Sequence, residues 1–467
     1  MNFHSVEFIV LLATVVLLAF GLPARFRNTI LLVASAVFYM WWRAEYLLLV
    51  LFSVVIDYAV CLRMARVRST STRRLLLGIS LVSNLGLLFF FKYFEFAVGS
   101  LAVLMGWMGR PMAAPELDLL LPVGISFYTF QALSYTIDVY RGTIPPERRL
   151  FRLCLYVLFF PQLVAGPIER SSSLLPQFDQ PSSFDADRAA SGLRLVLWGL
   201  VKKILVADRL ALIADPVFDD PTRYSGLPLI LASYAFAFQI YADFSAYSDI
   251  AVGSARILGF RLMRNFDAPY FSTSPAEFWR RWHVSLSTWF RDYVYVPLGG
   301  NRSGRWRWAV AVGTAFLLSG LWHGARWTFV LWGLYHGLLV ILARTASGLK
   351  LPSGPTWVRT LVTFHLVLLG WVLFRAQTLP DAWYVLTHAF GGTPGPSTSL
   401  GLETADWIIA FFGVAVLLVA DSARTTDQKS PGPPSFAASP ARSLRSSCST
   451  GGFPPKIPSS ISGSDPP

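Results

Sequence analysis

Apolar runs close to the length of a bilayer crossing recur through this chain, and they limit its fold more than any other feature. The clearest are Val6–Leu22, Tyr46–Leu62, Leu75–Phe91, Leu193–Ile213, Leu227–Tyr241, Ala309–Trp322, Trp327–Leu342, Leu361–Phe374 and Trp407–Ala420. Shorter or broken runs lie at Ile30–Trp42, Phe94–Trp107, Leu119–Ile137 and Leu153–Val164. A helix needs about 20 mostly apolar residues to cross the hydrocarbon core. Interrupted segments are tolerated at membrane depth where protein surrounds them. The pattern predicts an all-α polytopic membrane protein with roughly ten to twelve transmembrane or re-entrant helices.

Composition agrees. Of 467 residues, 54% are hydrophobic and 14% are charged, against about 25% charged in soluble domains. The net charge of +13 fits Lys and Arg flanking membrane segments on the cytoplasmic side better than it fits a nucleic-acid binder. The loop RMARVRSTSTRR, Arg63 to Arg74, is the clearest case and is assigned to the cytoplasm. Counting back puts the Arg43–Glu45 turn outside, the Arg25–Arg27 loop inside and the N-terminus outside. The first helix has no basic region before it and reads as uncleaved. Cys61, Cys154 and Cys448 have neither disulfide-framework nor metal-ligand spacing, so no metal site is expected.

Residues 1–426 read as one membrane domain without evident internal repeats, which disfavours many transporter folds. Residues 427–467 are rich in Ser, Pro and Gly with no apolar period, and predict a disordered tail. The change is abrupt, and one explanation is a frameshifted, non-native end. Resequencing the locus tests it.

The polar residues inside apolar context carry the functional signal. Ser274-Pro275-x-Glu277 is a helix start with a capping box. A helix continued from there places Trp279, Trp282, Leu286, Trp289, Phe290 and Tyr293 on one face. Arg280, Arg281, Ser285, Thr288, Arg291 and Asp292 fall on the other. Such a helix suits the membrane interface. His283 falls at the edge of the apolar stripe, where it is either a boundary residue or a functional one. A glycine-rich basic loop, Pro297 to Trp308, follows.

His323, in LLSGLWHGARWTF, lies at the end of an apolar run. Ionisable groups at that depth are rare and are functional candidates. Gly320 and Gly324 beside it let a substrate or another helix approach; the alternative is a core histidine bonded to a neighbouring helix. His336 and His365 also lie in apolar runs; His365 reads as structural, and His336 is undecided. His4 and His388 read as peripheral. Gln131 and Asp138 in LPVGISFYTFQALSYTIDVYRG, the broken FFPQLVAGPIERSS, and Asp243 and Asp249 in FQIYADFSAYSDIAVG each fit either a polar path or a bond to a helix end. No G-x-S-x-G, H-E-x-x-H, P-loop or dinucleotide fingerprint occurs. What remains is intramembrane histidine chemistry. An imidazole that takes the proton of an attacking hydroxyl typically gives 10²–10⁴-fold, which is acyl transfer onto an alcohol.

The stretches just quoted, with FPQLVAGPIERSSSLLPQF, NFDAPYFSTSPAEFWRRWHVSLSTWFRDYVYVPLGGNR and the longer LLSGLWHGARWTFVLWGLYHG, run from about Leu121 to Gly337. In that order they resemble the membrane-bound O-acyltransferase family, most of all its bacterial alginate O-acetyltransferase branch. The resemblance implies a many-helix membrane fold with interfacial helices around a central tunnel. It implies that His323 is the catalytic histidine and His283 the second functional position, with Trp322, Trp282, Gln131, Asp138 and Asp243 as candidate substrate-contacting residues. It implies transfer of an acetyl group from acetyl-CoA, a substrate rather than a tightly bound cofactor, across the bacterial inner membrane. The expected acceptor is an exopolysaccharide, reached with a separate periplasmic or extracellular acetyltransferase partner. D-alanyl or lipid acyl transfer is the rival within the class, and a glycan transporter or flippase the rival outside it. The branch ends in a further apolar segment after Trp407–Ala420, where this chain has its Ser/Pro tail.

Overall fold

The computed structural model describes residues 1–113, 120–164, 166–180, 183–302, 304–348, 354–391 and 403–427. The expectation for residues 428–467 lies outside them. The chain divides into one large unit, Met1–Arg424, and a second, Thr425–Pro467. The large unit is helical throughout, with no strand among the described residues.

Among the described residues, six helices are long and apolar enough to cross a membrane: Tyr46–Arg66, Thr70–Trp107, Leu227–Ile257, Trp327–Ala346, Thr356–Arg375 and Thr404–Arg424. Val6–Gly21 is apolar but shorter. The run at Leu193–Ile213 forms Ala186–Val201, a π turn at Lys202–Ala207, and Asp208–Asp219. It falls outside those six because Lys202, Lys203, Asp208 and Arg209 interrupt its apolar length.

Helix contacts inside a bilayer depend on close packing and on polar side chains bonding across the interface. Both occur here. Ala186–Val201 lies against Leu227–Ile257 so closely that a Cβ on Gly192 would sit 2.7 Å from the Gly253 carbonyl, and one on Gly199 2.8 Å from the Ala246 carbonyl. Tyr46–Arg66 and Thr70–Leu88 are joined by buried Asp57, which accepts from Ser80 Oγ at 2.5 Å and Asn84 Nδ2 at 3.0 Å. Ser53 donates to Asn84 Oδ1 at 2.6 Å in the same cluster.

The segment Leu153–Val164 is broken, as Pro161 suggests. Leu150–Leu158 ends, Phe159 is non-helical, and the short Phe160–Leu163 helix follows. The freed Tyr156 carbonyl accepts from two glutamine amides, Gln131 Nε2 at 2.8 Å and Gln162 Nε2 at 2.6 Å. Ser35 Oγ accepts from the Phe160 N–H at 3.1 Å.

The expected continuous helix from Ser274 to Tyr293 is not one helix. Pro275–Arg281 and Val284–Phe290 are separate, and His283 between them has φ 43°, in the left-handed region. The predicted start does form: Ser274 accepts from the Glu277 N–H at 3.2 Å. The Glu277 carboxylate reaches back to the Thr273 N–H at 2.8 Å and pairs with Arg281 at 2.8 Å. Burial pushes the Glu277 carboxyl up, but these bonds outweigh it and hold it below the ordinary value. The break has a cause outside the segment. Asn265 accepts from the Val284 N–H through its carbonyl at 2.9 Å and from the Ser285 N–H through Oδ1 at 3.1 Å. These bonds replace the helical partners the two amides would otherwise need.

Candidate active site

His323 is the last residue of the Arg305–His323 helix. The chain then turns through Gly324 into Trp327–Gly348, which runs back beside it. The flanking glycines serve this crossing. A Cβ on Gly320 would lie 2.2 Å from the Phe329 carbonyl, and one on Gly324 would lie 2.2 Å from the Phe329 ring. Of the two uses open to them, helix approach is the one built. The result fixes the imidazole at the helix end. It meets Trp322, Trp332 and Phe374 nearly edge-on, with ring centroids 4.9, 5.1 and 5.2 Å away. Neither ring nitrogen bonds protein among the described residues, and the half-buried ring faces a cavity of about 460 Å³.

Trp322, Trp282 and Asp243 line the same cavity, as do Lys92, Phe244 and the Leu121–Phe127 segment. Asp243 is held by Lys203 at 2.7 Å. Buried His283 sits one ring behind the wall. It stacks edge-on to Phe244 at 4.7 Å, and Trp322 stands between it and His323, 5.8 Å from the His283 centroid. Asn265 Oδ1 lies 3.3 Å from His283 Nδ1. That acceptor places the proton on Nδ1 and leaves Nε2, which has no partner among the described residues, as the lone-pair nitrogen.

Two expected substrate contacts lie elsewhere. Gln131 does not line this cavity; it is spent on the broken helix at Tyr156. Asp138 accepts from Tyr293 at 2.9 Å, away from His323. Of the other histidines, His365 has both nitrogens bonded, to Tyr234 at 2.6 Å and the Leu361 carbonyl at 2.8 Å. His336 is fully buried, boxed by Trp279 and Trp332 at 5.1 and 5.0 Å, with Gly370 leaving room for its ring.

A second cavity, of about 740 Å³, opens along the other part of the same helix. Trp308, Val312, Phe316 and Ser319 line it, together with Trp279, Arg280, Arg291 and Arg344. Arg344 is stacked over Trp308 at 4.2 Å and bonded to Asn301 at 2.9 Å. Thus Trp279 faces one cavity and Trp282, one turn on, faces the other. Sequence reasoning missed Lys92, which sits in FFFKYF with no motif around it.

The helices and the cavity define a multi-pass helical membrane protein in which His323 faces a cavity and His283 is buried behind its wall. Its family is shown by descent: residues 149–372 match the MBOAT, membrane-bound O-acyltransferase family, and the protein is an acyltransferase of this family. It is 42% identical over 409 residues to the probable alginate O-acetylase AlgI of Azotobacter vinelandii, covering 84% of this chain and 80% of the relative. It is 35% identical over 411 residues to the peptidoglycan O-acetyltransferase of Helicobacter pylori, covering 80% and 76%. It is 29% identical over 279 residues to the teichoic acid D-alanyltransferase of Bacillus subtilis, covering 56% and 71%.

Proposed function

We infer that this protein takes an acetyl group from acetyl-CoA at the cytoplasmic face of the bacterial inner membrane and passes it to a hydroxyl at the outer face. The product lies on the way to an acetylated exopolysaccharide or envelope glycan. The observation that carries this reading is the placement of two cavities along one helix, with His323 and Trp322 on one and Trp308 to Ser319 on the other. At 1.5 Å per residue, Trp308 and His323 are roughly 22 Å apart, most of the way across a hydrocarbon core. The two cavities are read as the ends of the expected tunnel, and the helices beyond the six long ones as its re-entrant and interfacial wall.

Side chains support the direction. Arg73, in the loop assigned to the cytoplasm, donates to the Tyr140 carbonyl at 2.6 Å, and Arg141 donates to the Asp292 carbonyl at 3.3 Å. Arg291, next in chain, lines the basic cavity. At the other end of Tyr46–Arg66, Tyr46 donates to the Leu120 carbonyl at 2.7 Å, beside the wall of the His323 cavity. Three guanidiniums in the basic cavity suit the phosphates of acetyl-CoA. Acetyl-CoA is consumed as a substrate, and the reading needs no resident cofactor.

In the reaction the acceptor hydroxyl loses its proton to His323 as its oxygen bonds the acyl carbon. The thiolate leaves and takes that proton back. His283 orients the centre from behind Trp322. A periplasmic or extracellular acetyltransferase partner then receives the group from the outer cavity. The test is O-acetylation of the product polymer in cells carrying His323→Ala. We expect its complete loss with normal protein level and folding, and severe loss in His283→Ala. Normal acetylation in His323→Ala would remove the reading and leave a transporter. The Bacillus relative favours a second reading, transfer of D-alanyl groups, which supplying each labelled acyl donor to membranes distinguishes.

A further inference from the structure

The helical run Thr70–Trp107 contains a π turn at Phe89–Tyr93. Such turns insert one residue into the helix and are frequent at functional sites. This one aims two side chains at the end of the His323 helix. Tyr93 OH donates to the Leu321 carbonyl at 2.7 Å. Lys92 Nζ donates to the Trp322 carbonyl and, at 3.0 Å, to Ser126 Oγ. The last four carbonyls of a helix have no partner of their own, so the contacts explain how the histidine's helix is held.

Neither acceptor requires a charge, and the Trp322 and Tyr93 rings, whose centroids lie 5.8 and 5.7 Å from Nζ, offset only part of its cost by cation–π attraction. A neutral donor such as Tyr93 serves the neighbouring carbonyl, and an ammonium in a membrane-spanning helix is expensive. Lys92 makes no ion pair among the described residues; its two acceptors are a carbonyl and a hydroxyl. With two of three N–H groups engaged, half-buried Lys92 lines the cavity that His323 faces. An ammonium that makes no ion pair among the described residues, fixed at the wall of the cavity a base faces, is placed to stabilise negative charge forming on a reacting oxygen.

We propose that Lys92 is a catalytic residue of the acyl transfer, holding the carbonyl oxygen of the acetyl group as it becomes an oxyanion next to His323. The inference rests on the acyl-transfer reading above. As the acceptor oxygen bonds the acyl carbon, its proton passes to His323 and the carbonyl electron pair moves onto oxygen, against the ammonium. The C–S bond then breaks, the carbonyl re-forms, and the thiolate takes the proton from the imidazolium. Lys92 keeps its protons throughout.

The test uses the full-length protein in nanodiscs, with acetyl-CoA as donor and methyl mannoside as a surrogate alcohol, following thiol release. Removal of one oxyanion donor typically lowers kcat by about 10²–10³. Lys92→Met and Lys92→Gln should both fall in that range with the KM for acetyl-CoA unchanged, and Lys92→Arg should recover part of the rate. Tyr93→Phe removes the neighbouring cap alone and should lose less than about tenfold in kcat, an ordinary neutral hydrogen bond. Wild-type kcat in Lys92→Gln, or a loss in Tyr93→Phe equal to that in Lys92→Met, would show a clamp and overturn the proposal. Thermal unfolding checks that each variant is folded. His323→Ala, run alongside, separates the two ideas: full activity there defeats the acyl-transfer reading itself, whereas an inactive His323→Ala beside a fully active Lys92→Met defeats only the role of Lys92.

Discussion

His283 has the left-handed backbone that non-glycine residues adopt only when neighbours hold them there. Asn265 is that neighbour, since it bonds the Val284 and Ser285 amides and the His283 ring together. Asn265→Ala should therefore do two things at once. It should lower stability by about 1–3 kcal/mol by stranding buried donors, and it should lower acetyl transfer at least tenfold because the His283 ring loses its orientation. Thermal unfolding and transfer rates, measured on the same preparation, check both; a stable variant with full activity would make Asn265 incidental. At this scale His323 was conspicuous in the sequence as an imidazole in an apolar run, and the structure places it on a cavity. The role of Asn265 was not conspicuous, because its contacts cross eighteen positions of chain. Gln131 and Asp138 were conspicuous for the same reason as His323, yet one bonds a broken helix and the other Tyr293.

Among the elements, apolar length gave the long helices directly, since lipid leaves the backbone little choice. The helix expected through Trp282 failed because period alone cannot reveal a competing partner for two amides. Glycine was equally ambiguous. Gly320 and Gly324 could admit a substrate or a helix, and only the position of Phe329 decided it. Gly192 and Gly253 show the same logic, each sitting with its missing Cβ 2.7 Å from the other's carbonyl. Gly253→Val should force these helices apart at a cost of at least about 1–3 kcal/mol, the usual range for overpacking. The midpoint of thermal unfolding in detergent should drop. An unchanged midpoint would mean that the contact is loose.

For the molecule as a whole, the basic cavity and the His323 cavity are lined by one helix, Arg305–His323, and the proposed function uses them in series. If the basic cavity holds acetyl-CoA by its phosphates, neutralising Arg280, Arg291 or Arg344 to Gln should raise the KM for acetyl-CoA about tenfold or more, since a hydrogen bond to a charged group contributes about 1.5–3 kcal/mol. The turnover at saturating donor should change far less. Loss of kcat with constant KM would place the donor elsewhere.

The sequence by itself determined that this is a helical membrane protein and singled out its buried histidines as candidates, because burial in lipid and the cost of an ionisable ring there are local properties of residues. Tertiary structure decided which polar residues share a cavity. It set Lys92 beside His323, put His283 behind Trp322, and withdrew Gln131 and Asp138 from the site. Those outcomes depend on contacts between helices far apart in the chain, where a side chain's role is set by the groups opposite it rather than by its own neighbours in sequence.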